Sequence, residues 1–254
     1  MVLHTLKSGS GPAVFFLHGL FGDGKNLYSI SRDLENRFSC YLADQRNHGK
    51  SAHDDKFSYS VMAEDLNETL EHYGISKAIV IGHSMGAKTS MEFALRFPEK
   101  VRALVCMDSS PGKYDMRYDD FVKSMRDMDL PNIGSREEAE KYLTESGINI
   151  LEAKFLLKNL VRNSTGFSWR INLGALINNY ENIWAPVSEN LRYNGPVLFL
   201  KGEKSNFITE KDEKLILKLF PSARIAEIKN AGHWLHIDNT AMCNEEIGSF
   251  LASI

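Results

Sequence analysis

Ser84 stands at the centre of Gly82-His83-Ser84-Met85-Gly86, a G-x-S-x-G pentapeptide. Such a string arises by chance in roughly one chain in ten of this length, so alone it argues little. Its setting argues more. Lys77–Ile81 reads as a strand and Met85–Phe97 as a helix stopped by Pro98, so the serine falls on a tight strand-to-helix turn that exposes its hydroxyl as a nucleophile. Such a turn strains the backbone at the serine and leaves no room for side chains two residues to either side, where this chain has glycine. The plain alternative is a serine at an ordinary turn. A second glycine-bearing strand exit, His18-Gly19-Leu20-Phe21-Gly22, would bring a main-chain N–H of Leu20 or Phe21 toward the same point. With the N–H of Met85 at the helix start, that makes a two-donor oxyanion hole.

A serine hydroxyl needs a base, and the base needs a third group to hold its tautomer. Of eight histidines, His233 in Ala231-Gly232-His233-Trp234 lies between the last predicted strand and the last helix, where a base belongs in this chain order. His18, His48 and His83 read as packing or hydrogen-bonding residues, His4, His53 and His72 as surface, and His236 as packed or solvated. For the acid, the turn after Pro196–Leu200 offers only Glu203, at an unsuitable offset, with Ser205 where an aspartate is common. Asp108 closes the strand Val101–Met107 and can reach the imidazole from the neighbouring strand; its plain reading is a helix cap or turn former. We expect Asp108 as the acid and Ser205 as an auxiliary hydrogen-bond partner. Asp44 lies upstream of the serine, where a salt link to Arg46 or a turn role is expected.

The surrounding pattern is an alternation of strand-length apolar runs with amphipathic helices, the mark of a mostly parallel α/β sheet covered on both faces. Ala13–His18, Ser39–Asp44, Lys77–Ile81, Val101–Met107, Pro196–Leu200 and Arg224–Ile228 are the predicted strands. Between residues 109 and 193 the rhythm becomes helical, with a capping box at Ser135-Arg-Glu-Glu138 and no convincing buried strand. We therefore expect a core of 1–108 and 194–254 with a helical cap at 109–193. Phe121, Met125, Leu151, Phe155 and Trp184 of that cap are candidates for an acyl pocket, although any one of them could simply join cap helices.

The composition excludes several classes. With 254 residues, 43% apolar and 25% charged, the chain is an ordinary globular one, and its net charge of −3 supplies no basic field for nucleic acid. Three scattered cysteines suit a reducing compartment, and no apolar run approaches the roughly 18 residues of a membrane span. A cytoplasmic location is the expectation. No G-x-G-x-x-G follows a strand and no P-loop lysine appears, so no nucleotide cofactor is implied. His233-x-x-His236 lacks the companions of a metal site, and serine rather than aspartate at the turn excludes alkyl-enzyme chemistry.

Taken together, His18-Gly-Leu-Phe-Gly22, Asp44-Gln-Arg-Asn-His-Gly49, Gly82-His-Ser-Met-Gly86, the Asp108 strand end, Phe155-Leu-Leu157 and Gly232-His-Trp234 resemble the serine α/β-hydrolases, in particular the YbfF-type bacterial esterases. The resemblance implies an α/β-hydrolase fold with a helical cap, hydrolysis of small to medium acyl esters without cofactor, and the acid at Asp108. Ala87 replaces a glycine frequent in related chains, a change of one methyl group. Three other readings stand beside it. An acyl-CoA thioesterase would have Arg46, Lys113 or Arg117 available for phosphates, a C–C bond hydrolase shares the serine turn, and a binding scaffold would be non-catalytic.

Overall fold

The computed structural model describes residues 1–115, 119–164 and 166–254. In chain order it runs β1 (Thr5–Ser8), β2 (Ala13–Leu17), α1 (Tyr28–Leu34), β3 (Ser39–Ala43), α2 (Tyr59–His72), β4 (Ala78–His83), α3 (Met85–Arg96) and β5 (Val101–Met107). There follow α4 (Asp119–Asp127), α5 (Arg136–Glu145), α6 (Ile150–Leu157), β6 (Leu160–Asn163), β7 (Gly166–Trp169), α7 (Leu173–Asn178) and α8 (Tyr180–Trp184). The chain closes with β8 (Val197–Gly202), α9 (Glu210–Leu219), β9 (Ala223–Ile228), α10 (Leu235–Asp238) and α11 (Thr240–Ala252).

Seven strands form one sheet in the order β1-β3-β2-β4-β5-β8-β9, parallel except for β1 against β3. Consecutive side chains of a strand face opposite ways, so a strand covered on both faces must be apolar throughout. Phe15 accordingly packs in one core cluster with Leu66, Phe199 and Phe220, while Phe16 packs on the other face with Ile81, Leu198 and Ile247. That double burial is why the central strands are legible as solid apolar runs. The antiparallel edge strand β1 was not anticipated, because its four residues are partly buried or exposed and carry little apolar signal.

Between β5 and β8 the chain leaves the sheet, and its helices build a third apolar cluster in which Met125, Leu143, Leu156 and Leu176 pack with Leu20, Tyr59 and Met85 of the rest of the chain. The helices were expected; the antiparallel hairpin of β6 and β7 was not. Its residues are partly buried or exposed apart from Leu160, so no buried-strand pattern announces it. Helix α3 holds both connections of this segment. Lys88 Nζ donates to the Gly112 and Ala185 carbonyls, each at 2.5 Å, and Glu92 accepts from Ser188 N and Oγ at 2.8 Å. The two connections also bond each other, Val187 N to Pro111 O and Tyr114 N to Trp184 O. The inserted segment is thus fastened to the helix that begins at Ser84.

Candidate active site

Ser84 links β4 to α3 with φ 54° and ψ −118°, a conformation an L-residue adopts only under constraint. The constraint is visible in the glycines: a Cβ on Gly82 would strike the Gly86 carbonyl, and one on Gly86 would strike that of Leu17. The turn leaves the hydroxyl facing the open end of the sheet. There the His233 Nε2 lies 2.9 Å from Ser84 Oγ, and His233 Nδ1 lies 2.8 Å from Asp108 Oδ2. A carboxylate only accepts, so Nδ1 carries the proton and Nε2 is the acceptor facing the serine. Asp108 is fully buried at the end of β5, and its other bonds come from Gly202 N at 3.0 Å and Ser205 Oγ at 2.5 Å. Glu203, the alternative acid, points elsewhere and accepts from Asn230 N and Lys229.

The imidazole is further confined by its neighbours. Phe207 stacks on it with ring centroids 3.8 Å apart, and His83 Nε2 donates to the His233 carbonyl at 2.8 Å. His83 in turn packs edge-on against His236, with ring centroids 4.5 Å apart. Burial holds the His83 pKa well below the ordinary imidazole value and pushes that of His236 down to about 4. Both rings are therefore neutral neighbours of His233 near pH 7.

Leu20 and Met85 line the space at Ser84, and among the described residues no protein acceptor takes the N–H of either. The N–H of Phe21 is engaged: it donates to His48 Nε2 at 3.2 Å, and the Phe21 carbonyl accepts from Asn159 Nδ2 at 2.7 Å. The Leu20–Phe21 turn is thereby clamped between the loop after β3 and the inserted segment. His48 can accept because its Nδ1 donates to Arg46 O and burial lowers its pKa to about 3, keeping the ring neutral. Neither His48 nor Asn159 carried a recognisable signal for this in the sequence, since each acts on a loop distant along the chain.

In the loop after β3, Asp44 takes the turn role of its two expected ones. Arg46 pairs with Asp65 through two bonds of 2.6 and 2.8 Å, while Asp44 accepts from Gly24 N and Lys50 N and faces His4 Nδ1 at 3.0 Å. Its role is to fasten turns, as one of the two expectations held, and the link to Arg46 is absent.

Two hollows meet at Ser84. An outer cleft of about 510 Å³, counted to its mouth, is lined by Phe121, Phe155, His233, Trp234 and Ile237. An inner chamber of about 290 Å³ is lined by Tyr59, Met85, Lys88, Trp184 and Phe207. Of the five candidate pocket residues, Phe121 and Phe155 face the first and Trp184 the second. Met125 is instead 1% exposed within the apolar cluster under the inserted segment and lines neither hollow. Leu151 is 70% exposed, because α6 turns Ala153, Leu156 and Leu157 inward, and with only Glu152 and Lys154 among apolar residues its composition left the inward face undetermined. Lys88 and Tyr59 were missed: a lysine at 1% exposure inside an α/β core contradicts the ordinary expectation for its type.

The family model described as the alpha/beta hydrolase fold matches residues 12–240. The chain is 36% identical over 253 residues to the mouse sn-1-specific diacylglycerol lipase ABHD11, covering 95% of this chain and 81% of that one. It is 33% identical over 232 residues to Esterase YbfF of Escherichia coli, covering 89% and 87%. A solved structure described as a marine microorganism esterase superimposes with a TM-score of 0.95 at 38% identity, over 98% of this chain and 99% of that one. The parallel sheet, the strained serine turn at its open end and a family match over most of the sequence agree: this chain belongs to the alpha/beta hydrolase fold family, among relatives named as esterases and lipases.

Proposed function

We propose that the chain is a serine esterase that cleaves carboxylic esters of small to medium acyl groups through an acyl-enzyme, with Ser84 as nucleophile, His233 as base and Asp108 as the acid that orients it. The observation that carries this reading is the unbroken pair of bonds Ser84–His233–Asp108 at 2.9 and 2.8 Å. Ser84 Oγ attacks the acyl carbonyl as His233 Nε2 takes its proton, and Asp108 stabilises the resulting imidazolium. The N–H groups of Leu20 and Met85 receive the oxyanion. His233 then protonates the departing alkoxide, and the same nitrogen activates the water that releases the acid. In this reading residues 109–193 form the cap that roofs the site.

An ester suits the surroundings better than a coenzyme A thioester. Arg46 is buried and committed to Asp65, and Lys113 lies on the outer surface beside Glu181 and Pro186, while Arg117 lies outside the described residues. The test is labelling by a serine-directed fluorophosphonate together with hydrolysis of matched ester and acyl-CoA ladders by wild type and Ser84→Ala. We expect Ser84-dependent labelling and ester turnover that falls at least about 10⁴-fold in the variant, with an unchanged melting temperature. A folded Ser84→Ala protein with near-wild-type turnover defeats the reading.

A further inference from the structure

The two hollows at Ser84 are not equivalent, and their difference assigns the two halves of the substrate. In the tetrahedral intermediate the oxyanion sits on the N–H groups of Leu20 and Met85. The leaving oxygen must stand within hydrogen-bond reach of His233 Nε2, because that nitrogen returns the proton. The acyl substituent has to project to the remaining side. His233 and its neighbour Trp234 line the outer cleft and not the inner chamber, whereas Met85 lines the inner chamber and not the outer cleft.

We infer that the alcohol portion of the ester lies in the outer cleft and the acyl chain enters the inner chamber, so that the enzyme prefers short, unsubstituted acyl groups on larger apolar alcohols. This rests on the proposed serine esterase mechanism and adds the substrate class. The inner chamber is the smaller of the two hollows, about 290 against about 510 Å³, and it ends against the buried residues Tyr59, Ile183 and Trp184. Three of its polar side chains are already engaged. Tyr59 donates to Ile183 O at 2.5 Å, Tyr114 to Phe207 O at 2.8 Å, and Lys88 Nζ to two carbonyls while lying 4.7 Å from the Tyr114 ring centroid. A polar acyl tail that turned to any of these three would have to displace one of their bonds, while a short hydrocarbon tail displaces none. The outer cleft is built differently. Phe155 and Trp234 form its wall with ring centroids 5.6 Å apart, and Ile237 at its mouth is 62% exposed, so a long alcohol chain can extend outward over apolar surface.

Two isomeric esters separate the sides without changing formula or alkoxide class: hexyl acetate and ethyl hexanoate. We expect wild-type kcat/KM to favour hexyl acetate by about tenfold or more, since a methylene that does not fit a closed pocket is alone worth about that factor. Equal rates, or a preference for ethyl hexanoate, overturn the assignment. Trp184→Ala opens the far end of the chamber and should move the ratio toward one; a folded variant with the wild-type ratio overturns the role of Trp184. Ile237→Ser, at an exposed site that folding tolerates, should lower kcat/KM more for hexyl acetate than for methyl acetate, and equal losses on both overturn the outer half of the assignment. Ser84→Ala run alongside keeps the two levels apart. Ester turnover that survives in that variant defeats the serine mechanism itself, whereas Ser84-dependent turnover with the reversed isomer preference defeats only the placement of the acyl and alcohol groups.

Discussion

Asp108 serves two neighbours besides His233, and each narrows what the carboxylate can do. Gly202 N fixes Oδ1, and the Ser205 hydroxyl shares Oδ2 with the imidazole. A hydrogen bond to a charged acceptor is worth about 1.5–3 kcal/mol, so Ser205→Ala should lower kcat by about 10- to 100-fold while leaving the fold intact. Asp108→Asn should be far more damaging, about 10⁴-fold in kcat, because the amide can donate to Nδ1 and turn the protonated nitrogen toward the serine. Steady-state kinetics on one ester with both variants checks the order. Ser84, His233, Asp108 and Ser205 were all legible as candidates because each sits at a strand exit that the apolar runs delimit. That Ser205 touches the same carboxylate oxygen as His233 follows from the pairing of β5 with β8, which no local pattern records.

Among the elements, the loop after β2 has the most demanding task in the proposed mechanism, where its backbone presents one N–H to a charge that exists only during reaction. Phe21 at φ 62° is held from below by His48 and from above by Asn159. Releasing either hold lets the Leu20 donor drift. Asn159→Ala is expected to lower kcat by about tenfold or more with little change in KM, short of the roughly 10²–10³ lost when an oxyanion donor is removed outright. Affinity for a boronic acid that mimics the tetrahedral intermediate should fall in parallel with kcat, a response that mere loosening of the fold would not produce. The choice between Leu20 and Phe21 was open in the sequence for a physical reason: adjacent amides of one turn look alike until a partner from a distant loop claims one of them. Leu151 failed for a related reason, as an eight-residue helix that is apolar nearly all round does not declare its inner side.

At the scale of the whole molecule, burial of neutral histidines couples stability to pH. His48 and His236 titrate in the folded protein at about 3 and about 4, below the ordinary value near 6.5, because burial disfavours the charged ring. Below pH 6.5 the unfolded chain takes up protons that the folded one refuses, so the stability these rings contribute is present above that pH and lost as pH falls through the folded values. For His236 alone this amounts to about 3 kcal/mol between pH 6.5 and 4. Thermal melts should therefore be flat above pH 7 and fall steeply below 6, and His236→Gln should reduce the drop between pH 7 and 4.5; an equal drop in both proteins would remove His236 from the account. What the sequence by itself determined is the sheet and the strained serine turn at its end, because solid apolar runs report burial on two faces and glycines beside a serine report a turn that tolerates no other residue. Tertiary structure alone decided which amide of the Leu20–Phe21 turn is claimed by another loop, what holds that turn, and how the space around Ser84 divides. Those outcomes depend on contacts between segments far apart in the chain, such as Asn159 with Phe21 and Lys88 with Gly112 and Ala185, and such contacts leave no periodicity behind.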